Sequence, residues 1–321
     1  MSLETESVLD RRRLRRHLSF WRVAAVLAMA LALAALVYKG IGVRGFERKQ
    51  IARVSLEGII TENRDQLKLL KRLAKTNSVE AVILFVNSPG GTTTGGEALY
   101  QAIRDLAAKK PVVAQFGTVA TSAAYIAGLA TDQIVARGNS ITGSVGVIFQ
   151  WAEVSELLNK LGVKMNEIKS GPLKANPSPF QPIDEAGKAT AQQMVADSMR
   201  WFVGLVASRR GIDTSTVPGL EQGRVYSGRE ALEYKLIDQI GGEAEVQKWL
   251  EEKRGVPKQL QIVDWKPERE DDWGILGLMG RALVRLVGLQ VPGFLTLASD
   301  DARLGLLRLD GLVSVWQPAE N

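Results

Sequence analysis

The chain has 321 residues, and it contains no cysteine and a single histidine, His17. Because 45% of the residues are hydrophobic, the chain can bury one sizeable core or two small ones. Without Cys, and with its one His in an Arg-rich leader, the main domain cannot hold a Ser-His-Asp triad, a Cys-His pair or a His-ligated metal site. Half of the formal net charge of +6 lies in residues 1–22, where six Arg face three acidic residues, so the rest of the chain gives no electrostatic indication of nucleic-acid binding.

The basic leader, residues 1–22, precedes an uninterrupted apolar run, residues 23–38. In a helix this run would reach roughly 24 Å, close to the hydrocarbon core of about 30 Å. We expect a single membrane anchor with the Arg cluster in the cytoplasm, so that everything after Tyr38 lies across the membrane. A cleaved signal peptide, with Ala32-Leu33-Ala34 as the cleavage site, and a buried core helix remain as alternatives.

After a linker, residues 39–50, the hydrophobic pattern predicts strands and helices in turn. The predicted strands are 51–60, 81–86, 111–116, 132–136, 145–149 and 163–168, and the predicted helices are 67–74, 95–108 and 184–209. This alternation indicates an α/β fold with largely parallel strands. In such sheets ligands bind at the carboxyl ends of the strands.

Ser122 follows the predicted strand 111–116 and opens an apolar, helix-like run. Its hydroxyl would therefore lie at a helix N-terminus, where backbone N–H groups have no partner within the helix. This is a favourable position for a nucleophile. Because no His or Cys is at hand, the general base must be a Lys or a carboxylate.

The pair Gly90-Gly91 follows the predicted strand 81–86. It is compatible with a simple turn of positive φ, and a phosphate loop is disfavoured because the Lys-Ser/Thr ending is missing. A further interpretation is that Gly91 presents its N–H to a bound carbonyl. Together with the N–H of Ala123, it would form a two-donor oxyanion hole.

Residues 168–180 contain one Gly and three Pro and are predicted to be a shaped loop between a strand and a long helix. Lys169 and Lys174 both lie in this loop. A lysine in water is protonated near neutral pH, so either one must be desolvated before it can accept a proton. The pattern alone leaves the choice between them open.

Five motifs, taken together and in this order, resemble bacterial signal peptide peptidase A of the S49 family. They are Asn87-Ser88-Pro89-Gly90-Gly91, Ala120-Thr121-Ser122-Ala123-Ala124-Tyr125, Ile141-Thr142-Gly143-Ser144-Val145-Gly146-Val147, Lys169-Ser170-Gly171-Pro172-Leu173-Lys174 and Gly223-Arg224-Val225-Tyr226-Ser227-Gly228. They cover about residues 50 to 255. The resemblance implies a ClpP/crotonase-like superfold of stacked β-β-α units in a membrane-anchored Ser-Lys endopeptidase.

The resemblance also implies roles for individual residues. Ser122 would be the nucleophile, and Lys174, at the family's Ser-Gly-x-x-Lys position, the general base. Ser144 would position the Lys amine, and the backbone N–H groups of Gly91 and Ala123 would form the oxyanion hole. The family commonly has Ser-Gly-Gly-Tyr where this chain has Ser-Ala-Ala-Tyr, so the backbone of Ala123 must avoid positive φ.

The function implied by the resemblance is cleavage of remnant signal peptides and similar apolar, membrane-derived peptides, without cofactor, metal or nucleic acid. The expected location is the bacterial inner membrane, with the peptidase domain, residues 51–265, on the extracytoplasmic side. The expected assembly is a homo-oligomer, in which residues 266–321 form a subunit contact; the alternatives are packing of this extension on its own core or on the membrane. Arg281 and Arg285 lie one helical turn apart within this extension. Alternatives are a non-catalytic membrane scaffold, an acyl-CoA hydratase or isomerase, and a related protease that acts on misfolded membrane proteins.

Overall fold

The computed structural model describes residue 17 and residues 20–30, 48–267 and 311–315, the last of these as backbone only. Residues 20–30 are helical and form part of a unit of their own, Met1–Lys49. Within the described ranges no helix combines the length and the hydropathy needed to cross a bilayer. Residues 31–38 of the predicted anchor, and most of the predicted extension 266–321, lie outside those ranges.

The second unit begins at Gln50 and alternates strands with helices over most of its length. Its strands are β1 Gln50–Ile60, β2 Val79–Thr92, β3 Val112–Thr121, β4 Gln133–Ala136, β5 Ile141–Gly143, β6 Ile148–Gln150, β7 Val225–Ser227, β8 Gln239–Ile240, β9 Gln261–Asp264 and β10 Gly311–Val315. Its helices are α1 Arg64–Leu73, α2 Thr93–Ala107, α3 Ala123–Leu129, α4 Ser155–Lys160, α5 Glu185–Arg210, α6 Gly228–Glu233 and α7 Glu243–Arg254.

The strands form one mixed sheet with a parallel centre. The strands β1, β2, β3 and β4 are parallel neighbours, β9 extends the sheet beside β1, and β8 extends it beside β4. At the carboxyl end of β3 the partner changes to β5, which in turn pairs antiparallel with β7. β10 lies antiparallel to both β2 and β6. The prediction of an α/β fold with largely parallel strands is therefore confirmed.

The apolar run 81–86 is covered on both faces, as its continuous hydrophobicity predicts. Val82, Leu84 and Val86 belong to the larger core cluster, which includes residues of α1, α2 and α3. Ala81 and Ile83 face the opposite side and belong to a smaller cluster with residues of α7. The sheet thus packs against α1, α2 and α3 on one face and against α7 on the other.

Two predicted strands are wrong in position or in kind. The strand expected at 145–149 is replaced by two short ones: β5, which ends at Gly143, and β6, which overlaps the predicted range only at residues 148–149. Residues 163–168 form no strand, and the side chains of Val163, Met165 and Ile168 are exposed. Apolar residues at alternate positions form a strand only where a neighbouring strand can pair with them, and none of the described strands pairs with this segment.

The long helix α5 confirms its prediction, shifted by one residue. Asp184 caps its N-terminus and accepts a hydrogen bond from the Gly187 amide at 2.7 Å. The helix ends at Gly211, which has φ 63°, the left-handed conformation that glycine adopts most easily.

Candidate active site

Ser122 connects the end of β3 to the start of α3 through a strained backbone. Its φ and ψ are 58° and −122°, a combination that non-glycine residues seldom adopt. Its amide donates to the Gly143 carbonyl at 2.9 Å, and its carbonyl accepts from the Ile126 amide at 3.0 Å. The residue is 1% exposed. A serine on a sharp strand-to-helix turn is the arrangement that presents a nucleophilic hydroxyl in α/β hydrolases.

The end of β2 is fixed beside this turn by side-chain hydrogen bonds to the backbone. The Thr121 hydroxyl donates to the Pro89 carbonyl at 3.1 Å. The Ser88 hydroxyl donates to the Gly58 carbonyl at 2.6 Å and accepts from the Gly90 amide at 3.1 Å. The two loops singled out in the sequence are therefore neighbours, as expected for adjacent parallel strands.

Gly91 needs to be glycine for a reason additional to the one predicted. A Cβ added there would overlap the backbone carbonyl of Ile60, its partner on β1. The residue is part of β2 rather than of a loop, because β2 runs on to Thr92. The close approach of β1 is therefore sufficient to require glycine, and the predicted use of the Gly91 N–H as an oxyanion donor remains a prediction.

Ala123 is the first residue of α3, and it does not have positive φ. The departure from the family's Ser-Gly-Gly-Tyr is therefore accommodated, because Ser122 itself has the unusual φ. The whole of α3 is buried, and the Tyr125 hydroxyl donates to the Leu236 carbonyl at 2.8 Å. Burial raises the pKa of Tyr125, so this phenol stays a neutral donor.

Ser144 directly follows the carbonyl that holds Ser122. Gly143 and Ser144 both have positive φ, 87° and 52°. The Ser144 amide donates to the Arg224 carbonyl at 2.9 Å, and a Cβ at Gly143 would lie only 2.6 Å from the ring of Tyr226. The Thr-Gly-Ser motif is therefore shaped by the same tight turn that anchors the predicted nucleophile.

Lys174 lies on a separate turn, residues 172–175, and its side chain is exposed. Among the described residues it takes part in no ion pair. Lys169 is different, because its ammonium lies 2.7 Å from the Glu167 carboxylate and the side chain is only 19% exposed. The Lys169 Nζ is thus already engaged by a carboxylate and is less free to face Ser122. This contact favours Lys174 over Lys169.

The turn that carries Lys174 is attached to the start of α5. The Asn176 side-chain amide donates to the Asp184 carboxylate at 2.9 Å, and the same oxygen accepts from the Gly187 amide. The Gly187 amide and, second, Asn176 lower the pKa of Asp184. A Cβ at Gly187 would overlap the Asn176 side chain. The Asn176–Asp184 contact was not anticipated, although an Asp directly before a helix is a recognisable capping signal.

Backbone strain is concentrated in the predicted site. Five described non-glycine residues have positive φ: Ser122, Ser144, Ala175, Lys235 and Gln259. The first two are predicted site residues, and the third directly follows Lys174. Such conformations cost about 1–3 kcal/mol each and are found most often at functional sites. The structure thus brings Ser122, Ala123, Gly91 and Ser144 to one edge of the sheet, and it leaves Lys174 exposed.

Within the described ranges no group of three or more His, Cys, Asp or Glu is arranged to hold a metal ion.

Comparison with known proteins identifies the class of this fold and site. The family model described as Clp protease matches residues 52–139, and the model described as Peptidase family S49 matches residues 104–257. The predicted Clp-protease-like α/β fold is confirmed for this part of the chain. The two models overlap on β3 and α3, where Ser122 lies.

Individual relatives agree with the family models. A putative protease of Methanocaldococcus jannaschii is 35% identical over 66% of this chain and 67% of its own length. A putative protease of Synechocystis is 33% identical over 63% of this chain and 73% of its own length. A putative signal peptide peptidase SppA of Enterococcus faecium is 34% identical over 61% of each chain. The chain is a protease by class, and it belongs to peptidase family S49.

Proposed function

We propose that this protein is a serine endopeptidase in which Ser122 is the nucleophile and Lys174 the general base. The observation that carries the proposal is the strained turn at Ser122, with φ 58° and ψ −122°, between a buried strand and a buried helix. A structural serine at this position would gain nothing from such a conformation, whereas a nucleophile is held by it at the start of a helix.

The proposed reaction is acyl transfer in two steps. The neutral amine of Lys174 takes the proton of the Ser122 hydroxyl while the oxygen attacks the peptide carbonyl. The N–H groups of Gly91 and Ala123 stabilise the oxyanion of the tetrahedral intermediate. The C–N bond then breaks, and Lys174 returns the proton to the leaving amine. Attack of water on the ester, assisted by the same amine, releases the acid and restores the Ser122 hydroxyl.

The exposure of Lys174 adds a condition to this mechanism. To accept a proton from Ser122, the Lys174 amine must be desolvated when the site is assembled. The bound peptide, a movement of the turn 172–175 or a neighbouring subunit would provide this cover. Ser144 would then hold the amine toward Ser122. A homo-oligomer in which subunits complete one another's sites accords with this requirement.

The proposed substrates are remnant signal peptides and similar apolar peptides derived from the membrane. Support comes from the relative in Enterococcus faecium, whose name is putative signal peptide peptidase SppA, and from the apolar run 23–38 behind an Arg-rich leader. We propose that this run anchors the protein in a bacterial inner membrane with the peptidase domain on the extracytoplasmic side. A tether of this kind would keep the site near the bilayer, where such peptides are concentrated.

The proposal is tested by hydrolysis of a fluorogenic apolar peptide by the full-length protein extracted in detergent. Wild type is compared with Ser122→Ala and with a matched control, Ser208→Ala, which removes an exposed hydroxyl from α5. We expect activity in wild type and in the control and none in Ser122→Ala. Activity that survives in Ser122→Ala, or a folded wild type that is inactive on peptides and unreactive toward a fluorophosphonate, would refute the proposal.

A further inference from the structure

One face of the sheet is covered by helix α7 over only part of its area. The apolar side chains of α7 pack on a cluster that includes Ile83 and Val113. The first residue of α7 forms a salt bridge with Arg53, the register partner of Ile83 on β1. Phe85 and Gln115 are partners in the same register, two residues further along β2 and β3. They therefore lie past the start of α7, toward the carboxyl ends of the strands.

Two cavities meet over this pair of residues. One, of about 420 Å³, extends from Phe85 and Gln115 to Arg137, directly after β4. The other, of about 430 Å³, extends from the same two residues across β1 to Asp264 on β9. We refer to the two cavities together as the sheet-face groove. Because neighbouring strands are about 4.8 Å apart, the groove spans about 19 Å from β4 to β9, the length of an extended chain of about six residues.

Gln115 places a buried polar group in the middle of the groove. The residue is 9% exposed, and its Oε1 atom has no hydrogen-bond partner among the described residues. Val113, two residues earlier on the same face of β3, is fully buried, so an apolar residue would meet the packing requirement of this face. Buried polar groups in folded proteins are nearly always paired. The unpaired oxygen therefore indicates a ligand that brings an N–H group to this point.

Arg137 gives one end of the groove a positive charge. It forms no salt bridge with any residue in the described ranges, and none of the residues that line its cavity is acidic. Glu245 is close enough to interact with Arg137, but its carboxylate accepts from the Gly242 amide at 2.7 Å and does not pair with the guanidinium. At the other end of the groove, Arg53 is paired with two carboxylates. The groove therefore favours an anionic group at the Arg137 end.

The spacing of Gln115 and Arg137 fits a single amino-acid residue of a ligand. Val135 is the partner of Gln115 on β4, and Arg137 follows two residues later, so the Cα atoms of Gln115 and Arg137 are about 8 Å apart. An N–H group for Gln115 and a carboxylate for Arg137 are what the last residue of a peptide supplies. The side chain of that residue would then lie on the half-buried ring of Phe85.

We propose that the sheet-face groove binds the C-terminal end of a peptide. The terminal carboxylate pairs with Arg137, the last N–H donates to Gln115, and the preceding residues cross β2 and β1 toward β9. Hydrolysis of a peptide bond creates a new C-terminal carboxylate, so a protease of family S49 produces ligands of this class. Ser122 does not line the groove, and α3 packs on the opposite face of the sheet. The site is therefore separate from the proposed active site and goes beyond the proposed function.

The first test measures binding of an N-terminally labelled hexapeptide that ends in leucine, by fluorescence anisotropy. The peptide is used as the free acid and as the C-terminal amide, with full-length Ser122→Ala in detergent so that it is not consumed. We expect the acid to bind at least about tenfold more tightly, because the amide loses the charge-assisted contact with Arg137. Equal affinities of acid and amide would overturn the inference.

Two further variants assign the contacts. Arg137→Gln should abolish the difference between acid and amide, whereas Arg200→Gln, which removes an exposed arginine from α5, should keep it. Gln115→Val, which suits a strand, should weaken binding of both forms by roughly tenfold, because both carry the last N–H. Affinities that stay at the Ser122→Ala level in both Arg137→Gln and Gln115→Val would place the peptide elsewhere on the protein.

A competition measurement distinguishes a peptide C-terminus from a small carboxylate. N-acetylleucine has the same carboxylate and N–H group but no preceding chain. We expect it to displace the labelled peptide only at concentrations at least about tenfold higher than those of the unlabelled hexapeptide, because it leaves most of the groove empty. Equal potency would make the groove a site for small carboxylates and contradict the inference.

Labelling of Ser122 separates the groove from the proposed active site. Wild type is treated with a fluorophosphonate and then titrated with the hexapeptide, and we expect the affinity of untreated protein. Loss of binding after labelling would place the peptide at Ser122 and overturn the inference. A wild type that prefers the acid over the amide but does not react with the fluorophosphonate would count against the proposed function alone.

Discussion

The two halves of the proposed dyad are built in opposite ways. Ser122 is 1% exposed, its amide and carbonyl are both hydrogen-bonded to the backbone, and it lies between a buried strand and a buried helix. Lys174 is exposed on a turn that follows an exposed, irregular segment. That turn is attached to the rest of the domain through Asn176 and the helix cap Asp184.

The difference shows which parts of the site depend on the sheet alone. The proposed nucleophile and the proposed oxyanion donors are fixed by strand ends that the core requires for other reasons, so their geometry exists in the single chain. The proposed base, Lys174, needs a dry environment that the described residues of one chain do not supply. We infer that the reactivity of this site is controlled at the Lys174 turn and not at Ser122.

The largest expected effect comes from removing the base. Lys174→Ala should lower the rate of peptide hydrolysis by about 10³-fold or more, since removal of one member of a catalytic unit typically costs this much. Steady-state kinetics on the full-length protein measures the change. Lys169→Ala is the matched control, because it removes a lysine from the same loop that is already paired with Glu167.

The outcome for the control sharpens the comparison of the two lysines. Lys169→Ala should retain most of the wild-type rate. A large loss of rate in Lys169→Ala together with a small loss in Lys174→Ala would show that Lys169, and not Lys174, is the general base.

The next largest effect is expected at the end of β2. Gly91→Ala places a methyl group on the backbone carbonyl of Ile60, so a strand must shift, at a cost of about 3 kcal/mol of unfolding free energy. Gly58→Ala is the control. It has φ 70° and open space around it, and the left-handed conformation costs about 1 kcal/mol. Urea unfolding distinguishes the two, and equal losses would mean that β1 does not hold Gly91 as described.

The smallest effect is expected at the attachment of the Lys174 turn. Asp184→Ala removes both the cap of α5 and the acceptor of the Asn176 amide, so kcat should fall several-fold while KM changes little. Asp184→Asn, which keeps a capping oxygen, should recover part of this loss. A change confined to thermal stability, with kcat unaltered in both variants, would show that the turn is positioned by other contacts.

The difference in thermal stability between wild type and Asp184→Asn should depend on pH. The pKa of Asp184 is lowered in the folded state, so its contribution to stability is present above the unfolded carboxyl pKa of about 3.9 and is lost as the pH falls through the folded value. Wild type should therefore melt a few degrees above Asp184→Asn at neutral pH, and the difference should vanish in acid. A difference that persists at low pH would rule out the charge as its source.

The sequence predicts the centre of this molecule well, for physical reasons. The run 81–86 is continuous and apolar because β2 is covered on both faces. Asp184 predicts the start of α5 because helix N-termini need capping groups. The position of Ser122 at a strand-to-helix junction follows from the strand-like run before it and the helix-like run after it. Each of these patterns lies within a short stretch of sequence, and packing in the core stabilises the same strand or helix that the pattern predicts.

The errors lie where pairing depends on distant parts of the chain. Residues 163–168 alternate like a strand but have no partner among the described strands, and β5 and β6 are too short to produce a period of their own. The Cβ clash of Gly91 with Ile60 follows from a register between β1 and β2 that hydrophobic periodicity does not specify. The exposure of Lys174 was equally beyond a local pattern, because burial is a property of the assembled structure.

The most direct test of the central claim is the site of covalent modification by a fluorophosphonate. Full-length protein is treated with the probe, digested and mapped by mass spectrometry, with heat-denatured protein as the control for non-specific reaction. We predict a single adduct on the Ser122 hydroxyl that requires the folded protein and is lost in Lys174→Ala. An adduct on another serine, or none on the folded wild type, would contradict it.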